Sequence, residues 1–262
     1  MSTLQQKELI SVLPYARRYA RALTGNQIYG DKLVAECLQI LVSNKNKDHF
    51  SPRETLYYLL TKRFNQLQEK LPSQANRPGL TSVQRQLLLL TSLEEQPISL
   101  AAAITGLSPN RANELIFDAR EKLHHAASTS VLIIEDEPII AMDIEDLVRK
   151  CGHTSVGIAG TEDEATMLAI TKKPGLILAD INLGLGGDGM LAVERILKHH
   201  PVPVIFVTAY PERLLTGSRQ EPCFVITKPF EPLTLAVATY QAVTGGLDTE
   251  LYSTQHDFEG RA

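Results

Sequence analysis

Three carboxylates, a hydroxyl and an amine, those of Glu135, Asp136, Asp180, Thr208 and Lys228, each close or directly follow a short apolar run in the second half of a 262-residue chain. Carboxylates brought together repel one another unless a hard divalent cation sits among them, and Mg2+ takes such oxygens while keeping some of its waters and binding a phosphate oxygen. An amine placed opposite neutralises incoming phosphoryl charge, and a threonine hydroxyl hydrogen-bonds a phosphoryl oxygen. With no Ser-His or Cys-His pairing apparent, the chemistry implied is phosphoryl transfer onto a carboxylate. Each residue taken singly has a plainer explanation, since acidic side chains at strand ends often cap the next helix. The argument rests on five positions agreeing in one topology.

That topology follows from the pattern around them. Short apolar runs at Val131–Ile134, Thr154–Ile158, Leu176–Asp180, Val204–Thr208 and Phe224–Thr227 alternate with amphipathic stretches near Ile139–Cys151, Glu162–Lys172, Gly189–His199, Pro211–Thr216 and Pro232–Thr244. The order predicts a flavodoxin-like α/β domain over 131–245, with five parallel strands and helices on both faces. Ligands of such sheets sit beyond the carboxyl ends of the strands, where these residues fall. Up to residue 125 the apolar spacing is helical throughout, in Leu9–Leu23, Lys32–Leu41, Glu54–Leu71, Ser82–Leu93 and Arg111–Leu123, so this half is expected to be all-α. Residues 126–130 read as a short polar linker, and 246–262 as an aperiodic tail.

Composition narrows the class. Hydrophobic residues make up 44% and charged ones 21%, which describes a globular chain able to fill two cores. No apolar run reaches the length of a membrane span, and the segment around Gln5, Gln6, Lys7 and Glu8 lacks the apolar core of a secretion signal, so a cytoplasmic location is expected. Cys37, Cys151 and Cys223 are too few and scattered for a disulfide framework or a zinc site. The net charge of −4 is uneven: residues 1–125 carry 16 basic against 11 acidic side chains, whereas 126–262 carry 10 against 19.

The motifs Val131-Leu-Ile-Ile-Glu135-Asp136-Glu137-Pro138, Leu178-Ala-Asp180-Ile-Asn182, Val207-Thr208-Ala209 and Thr227-Lys228-Pro229-Phe230 resemble those of response-regulator receiver domains. The resemblance implies that Asp180 accepts a phosphoryl group from a sensor histidine kinase, that Glu135, Asp136, Asp180 and the carbonyl of Asn182 hold Mg2+, and that Thr208 and Lys228 bind the phosphoryl oxygens. Where the family usually has Tyr or Phe, three residues before the lysine, this chain has Val225, with Phe224 beside it. Gly184-Leu-Gly-Gly187-Asp-Gly189 spells a dinucleotide-binding fingerprint but comes after the third strand rather than the first, so it reads as a loop. A haloacid-dehalogenase-type phosphatase would need a second Asp two places after the nucleophile. That place holds Asn182, so the chain is expected not to be an enzyme beyond slow autodephosphorylation.

In the helical half, Tyr15–Gly25 and Asp31–Glu36 resemble the second conserved region of extracytoplasmic-function sigma factors, within about 9–71, and 82–123 resembles their fourth. Ala101, Ala102, Gly106 and Ser108 have the rhythm of a helix-turn-helix. Arg17, Arg18 and Arg21 read either as a solvated helix face or as a binding patch. Promoter binding depends on phosphate contacts from basic side chains, yet residues 110–123 set Arg111, Arg120 and Lys122 against Glu114, Asp118 and Glu121. A sigma-shaped surface without a sigma factor's charge suits mimicry.

A sigma-like half followed by a receiver resembles the PhyR family of general stress response regulators. That resemblance implies a monomer that, once phosphorylated, sequesters an anti-sigma factor of the NepR type and so frees a stress sigma factor, without binding DNA itself. In the unmodified protein the receiver is expected to dock on the sigma-like half and hide its surface. The alternative is a phosphorylation-controlled transcription factor that binds promoter DNA directly.

Overall fold

The computed structural model describes residues 3–43, 51–69, 79–124, 128–209, 211, 214–216, 222 and 224–244. The expected tail, residues 126 and 127 of the expected linker, and Leu71 lie outside the described residues. The chain divides into two compact units. One holds the helical half together with Leu214, Leu215, Thr216 and Pro222 from the stretch between the last two strands; the other holds Leu123–Pro211 and Phe224–Thr244.

In the first unit, α1 (Thr3–Thr24), α2 (Gln27–Ser43) and α3 (Pro52–Gln68) pack together. Their apolar faces supply Ala16, Tyr19, Leu23, Leu33, Cys37, Leu56, Leu60 and Phe64 to a buried core. Each large side chain so buried contributes about 1.5–3 kcal/mol. Gly30 allows α2 to approach α1 closely, because a Cβ there would lie 2.8 Å from the Arg21 backbone. Ser51 and Glu54 form a reciprocal capping box at the start of α3, and Thr81 and Gln84 repeat the device for α4 (Ser82–Leu88). The α4 helix runs into a wider turn of i→i+5 geometry at Leu89–Leu93. Then come α5 (Ile98–Thr105), ended by left-handed Gly106, and α6 (Pro109–His124).

The second unit is a five-stranded parallel sheet in the order β2-β1-β3-β4-β5, formed by β1 (Ser130–Ile134), β2 (Thr154–Ala159), β3 (Leu176–Ala179), β4 (Val204–Thr208) and β5 (Phe224–Thr227). The helices α7 (Pro138–Lys150), α8 (Glu162–Lys172) and α9 (Gly189–Leu197) make the crossovers between β1, β2, β3 and β4, and α10 (Pro232–Val243) follows β5. In β1 and β3 nearly every residue is buried, as continuous apolar strands covered on both faces must be. The connecting helix expected at Pro211–Thr216 falls partly outside the described residues, and Leu214, Leu215 and Thr216 have turn or irregular backbone instead. Their grouping with the helical unit explains this: Leu214 and Leu215 are buried, and Arg17 donates to the Leu215 carbonyl at 3.0 Å.

Candidate functional site

Parallel strands end their carboxyl termini on one side, and the register of this sheet sets its chemistry there. Glu135 directly follows β1 and its amide donates to the Ala159 carbonyl; Asp180 directly follows β3 and its amide donates to the Ile134 carbonyl. Thr208 ends β4 opposite Thr227 of β5, and the Lys228 amide donates to the Thr208 carbonyl at 2.8 Å, so the lysine leaves the sheet at a fixed height. The Lys228–Pro229 peptide is cis.

Three of the expected residues meet. Lys228 Nζ lies 2.6 Å from Glu135 Oε2 and 2.7 Å from Asp180 Oδ2, a single ammonium bridging two carboxylates. The Glu135 side chain is fully buried, while Asp180 and Lys228 keep 15% and 16% of their side chains exposed. Asp180 is therefore the carboxylate of the pair that a donor can reach. Burial pushes the Glu135 carboxyl above its usual range, with Lys228 opposing the shift. Burial also opposes charge on Lys228, but the hydrogen bonds and attraction of Asp180 and Glu135 outweigh it and raise the lysine pKa. The second Asp180 oxygen, Oδ1, accepts the Ile181 amide at 2.6 Å, which fixes the plane of the carboxylate.

The other expected residues stand around this contact. Asp136 comes next after Glu135, with its Oδ2 facing Gly184, where a Cβ would come within 2.8 Å. Asn182 accepts the Gly184 amide through Oδ1 and pairs with Asp188 across the loop. Thr208 is buried at the end of its strand. Among the described residues, no three acidic, histidine or cysteine side chains gather closely enough to hold a metal ion. The donor chemistry nevertheless suits Mg2+: three carboxylates against one ammonium leave an excess of hard, anionic oxygen at the strand ends.

Two features of the loop after β3 have no counterpart in the sequence pattern. Gly189 opens α9 directly against the Asp180 carbonyl oxygen, which any Cβ would overlap. Glu162, at the start of α8, accepts the Asp188 amide at 2.8 Å and pairs with Arg195 at 3.5 Å, tying the loop to two helices. The glycine spacing marks a loop, but nothing in it signals which backbone atom the loop must pass.

Arg17, Arg18 and Arg21 form neither a solvated face nor an open patch. Arg18 and Arg21 are buried, Arg18 against Glu94 at 2.8 Å and Arg21 against Asp31 at 2.7 Å; Arg21 also reaches the Pro222 carbonyl at 3.5 Å. On α6, Arg111 is paired with Glu114, Lys122 turns to the Gly79 carbonyl and Gln84, and Phe117 is 67% exposed. An exposed aromatic beside balanced charges is a surface for protein more than for a polyanion.

Comparison with known proteins matches separate family profiles in the two halves of the chain. The family profile described as the Sigma2 domain of PhyR matches residues 9–61, and the response regulator receiver domain profile matches 131–239. The chain is 43% identical over 258 residues to the phyllosphere-induced regulator PhyR of Methylorubrum extorquens, covering 93% of this chain and 95% of that one. The crystal structure of the response regulator PhyR from Brucella abortus is similar with a TM-score of 0.82 at 38% identity, covering 98% of this chain and all of the other. That of the anti-anti-sigma factor PhyR from Bartonella quintana is similar with a TM-score of 0.80 at 38% identity, over 97% and 99% of the two chains.

Proposed function

The chain belongs to the PhyR family of response regulators, and on that premise we propose that it is a phosphorylation-activated anti-anti-sigma factor: its sigma-like unit binds an anti-sigma factor of the NepR type and thereby frees a stress sigma factor. The observation that carries this reading is the Asp180–Lys228–Glu135 contact at the strand ends, in the same chain as a sigma-like unit whose residues 110–123, in α6, carry no net charge. As a receiver-domain regulator it acts by being modified rather than by turning over a substrate.

In the proposed modification an Asp180 carboxylate oxygen attacks the phosphorus of a phosphohistidine on a sensor kinase. A new O–P bond forms as the P–N bond breaks, and the leaving imidazole takes up a proton. Lys228 holds the partly exposed carboxylate in place and then faces the transferred oxygens, and Thr208 supplies a hydroxyl from the neighbouring strand end. Mg2+ would be held by Glu135, Asp136, Asp180 and the Asn182 carbonyl and would supply charge neutralisation for the incoming phosphoryl group. Asn182 is an amide and cannot act as a general acid or base towards water, so the phosphorylated form is lost slowly. No helix among the described residues is long and apolar enough to cross a membrane, in keeping with a cytoplasmic partner switch.

The direct test is capture of a purified NepR-type anti-sigma factor with and without acetyl phosphate and Mg2+. Strong capture only after phosphodonor treatment, lost in Asp180→Ala, is the expected result. Equal capture under all conditions refutes the switch.

A further inference from the structure

We propose that Arg18 and Glu94 are positioning residues, whose buried pair holds the region-two-like and region-four-like helices of the first unit in the one register that the partner recognises. The inference rests on the function proposed above and adds which residues make the surface competent.

Glu94 has no exposed surface and stands where the wide turn after α4 ends. Both its carboxylate oxygens are used: Oε1 accepts Arg18 Nε at 2.8 Å, while Oε2 accepts an Arg18 terminal nitrogen at 3.0 Å and the Tyr57 hydroxyl at 2.5 Å. Arg18 also donates to the Leu93 carbonyl at 2.7 Å. Arg53 completes the cluster, donating to the Tyr57 hydroxyl at 2.9 Å and stacking over Tyr15 at 4.4 Å. Three segments that are remote in sequence, α1, α3 and the end of the wide turn, thus meet on one carboxylate. Beside them Gln86 of α4 donates to Asn65 of α3, and Ser82 donates to Gln68, so two further polar contacts join these segments.

The backbone is bent to make this meeting possible. The Glu94 amide donates to the Leu89 carbonyl and the Gln96 amide to that of Leu90, so the turn carries more residues than an α-helical one. One added residue rotates the downstream chain by roughly 100°, which aims Glu94 inward rather than along the α4 surface. Glu95 then adopts a left-handed φ of 55°, unusual for a residue other than glycine. Such local cost persists only where the surroundings over-determine it.

A buried ion pair is a poor device for stability, because desolvating both groups offsets most of their attraction and well-packed apolar residues often do as well. It is a good device for geometry. The Arg18 fork accepts a carboxylate in one plane and at one distance, and a misaligned alternative would leave a charge buried without its partner. In this proposal one partner engages both halves at once, and a fixed spacing lowers the entropy that complex loses in aligning them.

The test uses the full-length protein treated with acetyl phosphate and Mg2+. Arg18→Lys keeps the charge and loses the fork; the triple variant Arg18→Met, Tyr57→Phe, Glu94→Leu keeps the volume and removes the buried charge. Dissociation of a NepR-type anti-sigma factor is measured alongside the melting temperature, phosphoryl uptake and the distance between spin labels at Lys32 and Glu121 in a cysteine-free background. The triple variant is expected to melt near the parent and Arg18→Lys below it; both are expected to take up phosphoryl normally, yet to release the partner roughly tenfold faster, within the range of coupled elements, with a broadened label distance. Unchanged dissociation with an unbroadened distance in the folded triple variant overturns the proposal. Failure of the parent protein to capture the partner counts against the function instead, and the label distances then still decide the register.

Discussion

The Lys228 ammonium stands 2.7 Å from Asp180 Oδ2 and also reaches the buried Glu135, so one cation balances the carboxylate open to solvent and the one that is not. Removing it leaves Glu135 buried without its charged partner. Lys228→Met is expected to cost about 2–3 kcal/mol, the range for a charged hydrogen bond lost at a buried group. Urea unfolding checks this, and millimolar Mg2+ should narrow the gap from the parent by supplying another cation to the same oxygens.

Asp180→Asn preserves the side-chain shape while removing the nucleophilic charge. Phosphoryl uptake from acetyl phosphate, read as a mobility shift on a phosphate-affinity gel, is expected to vanish, with far-UV circular dichroism unchanged. Uptake at the parental rate would move the modified residue elsewhere.

Gly189→Ala places a methyl group on the Asp180 carbonyl oxygen. The loop must shift, at a cost of about 1–3 kcal/mol typical of overpacking, and the reactive carboxylate shifts with it. Both a lower melting temperature and slower phosphoryl uptake are expected. A change in stability alone would show that the loop yields without disturbing the site.

His153 accepts the Thr129 amide through Nδ1, and burial holds its pKa below 6.5. The folded state thus resists a proton that the unfolded chain accepts. The stabilisation is present above pH 6.5 and is lost as pH falls from there through the depressed folded pKa. Denaturation midpoints should drop on acidification through that window, and His153→Asn should flatten this part of the profile.

Direct promoter binding predicts retardation of duplex DNA that weakens steeply with salt. With Arg111 paired to Glu114 and Lys122 turned to Gly79 and Gln84, the full-length protein is expected to give none, with or without phosphodonor. A salt-dependent shift would restore the transcription-factor reading.

The sheet was legible because β1, β3, β4 and β5 are short, largely buried apolar runs, and the strand exits then pointed to Glu135, Asp180 and Lys228, which the structure brings into contact. Arg18 and Arg21 were not legible. Three apart on a helix, they look like any exposed basic stripe, and only the acids facing them, Glu94 and Asp31, turn that stripe into the interior. Glu94 itself lies past a wide turn that no regular 3.6-residue pattern places. The amphipathic pattern at Pro211–Thr216 also did not tell that Leu214 and Leu215 are buried and group with the helical unit.

That last feature bears on how the molecule can be taken apart. Because Leu214, Leu215, Thr216 and Pro222 group with the helical unit although β4 and β5 flank them, the sigma-like body is not one uninterrupted stretch of polypeptide. Scission at the polar seam near residue 128 would leave a fragment lacking the backbone oxygens that Arg17 and Arg21 address. Dissection by truncation therefore risks reporting on an incomplete piece, and a protease cut that leaves every segment present is the fairer instrument.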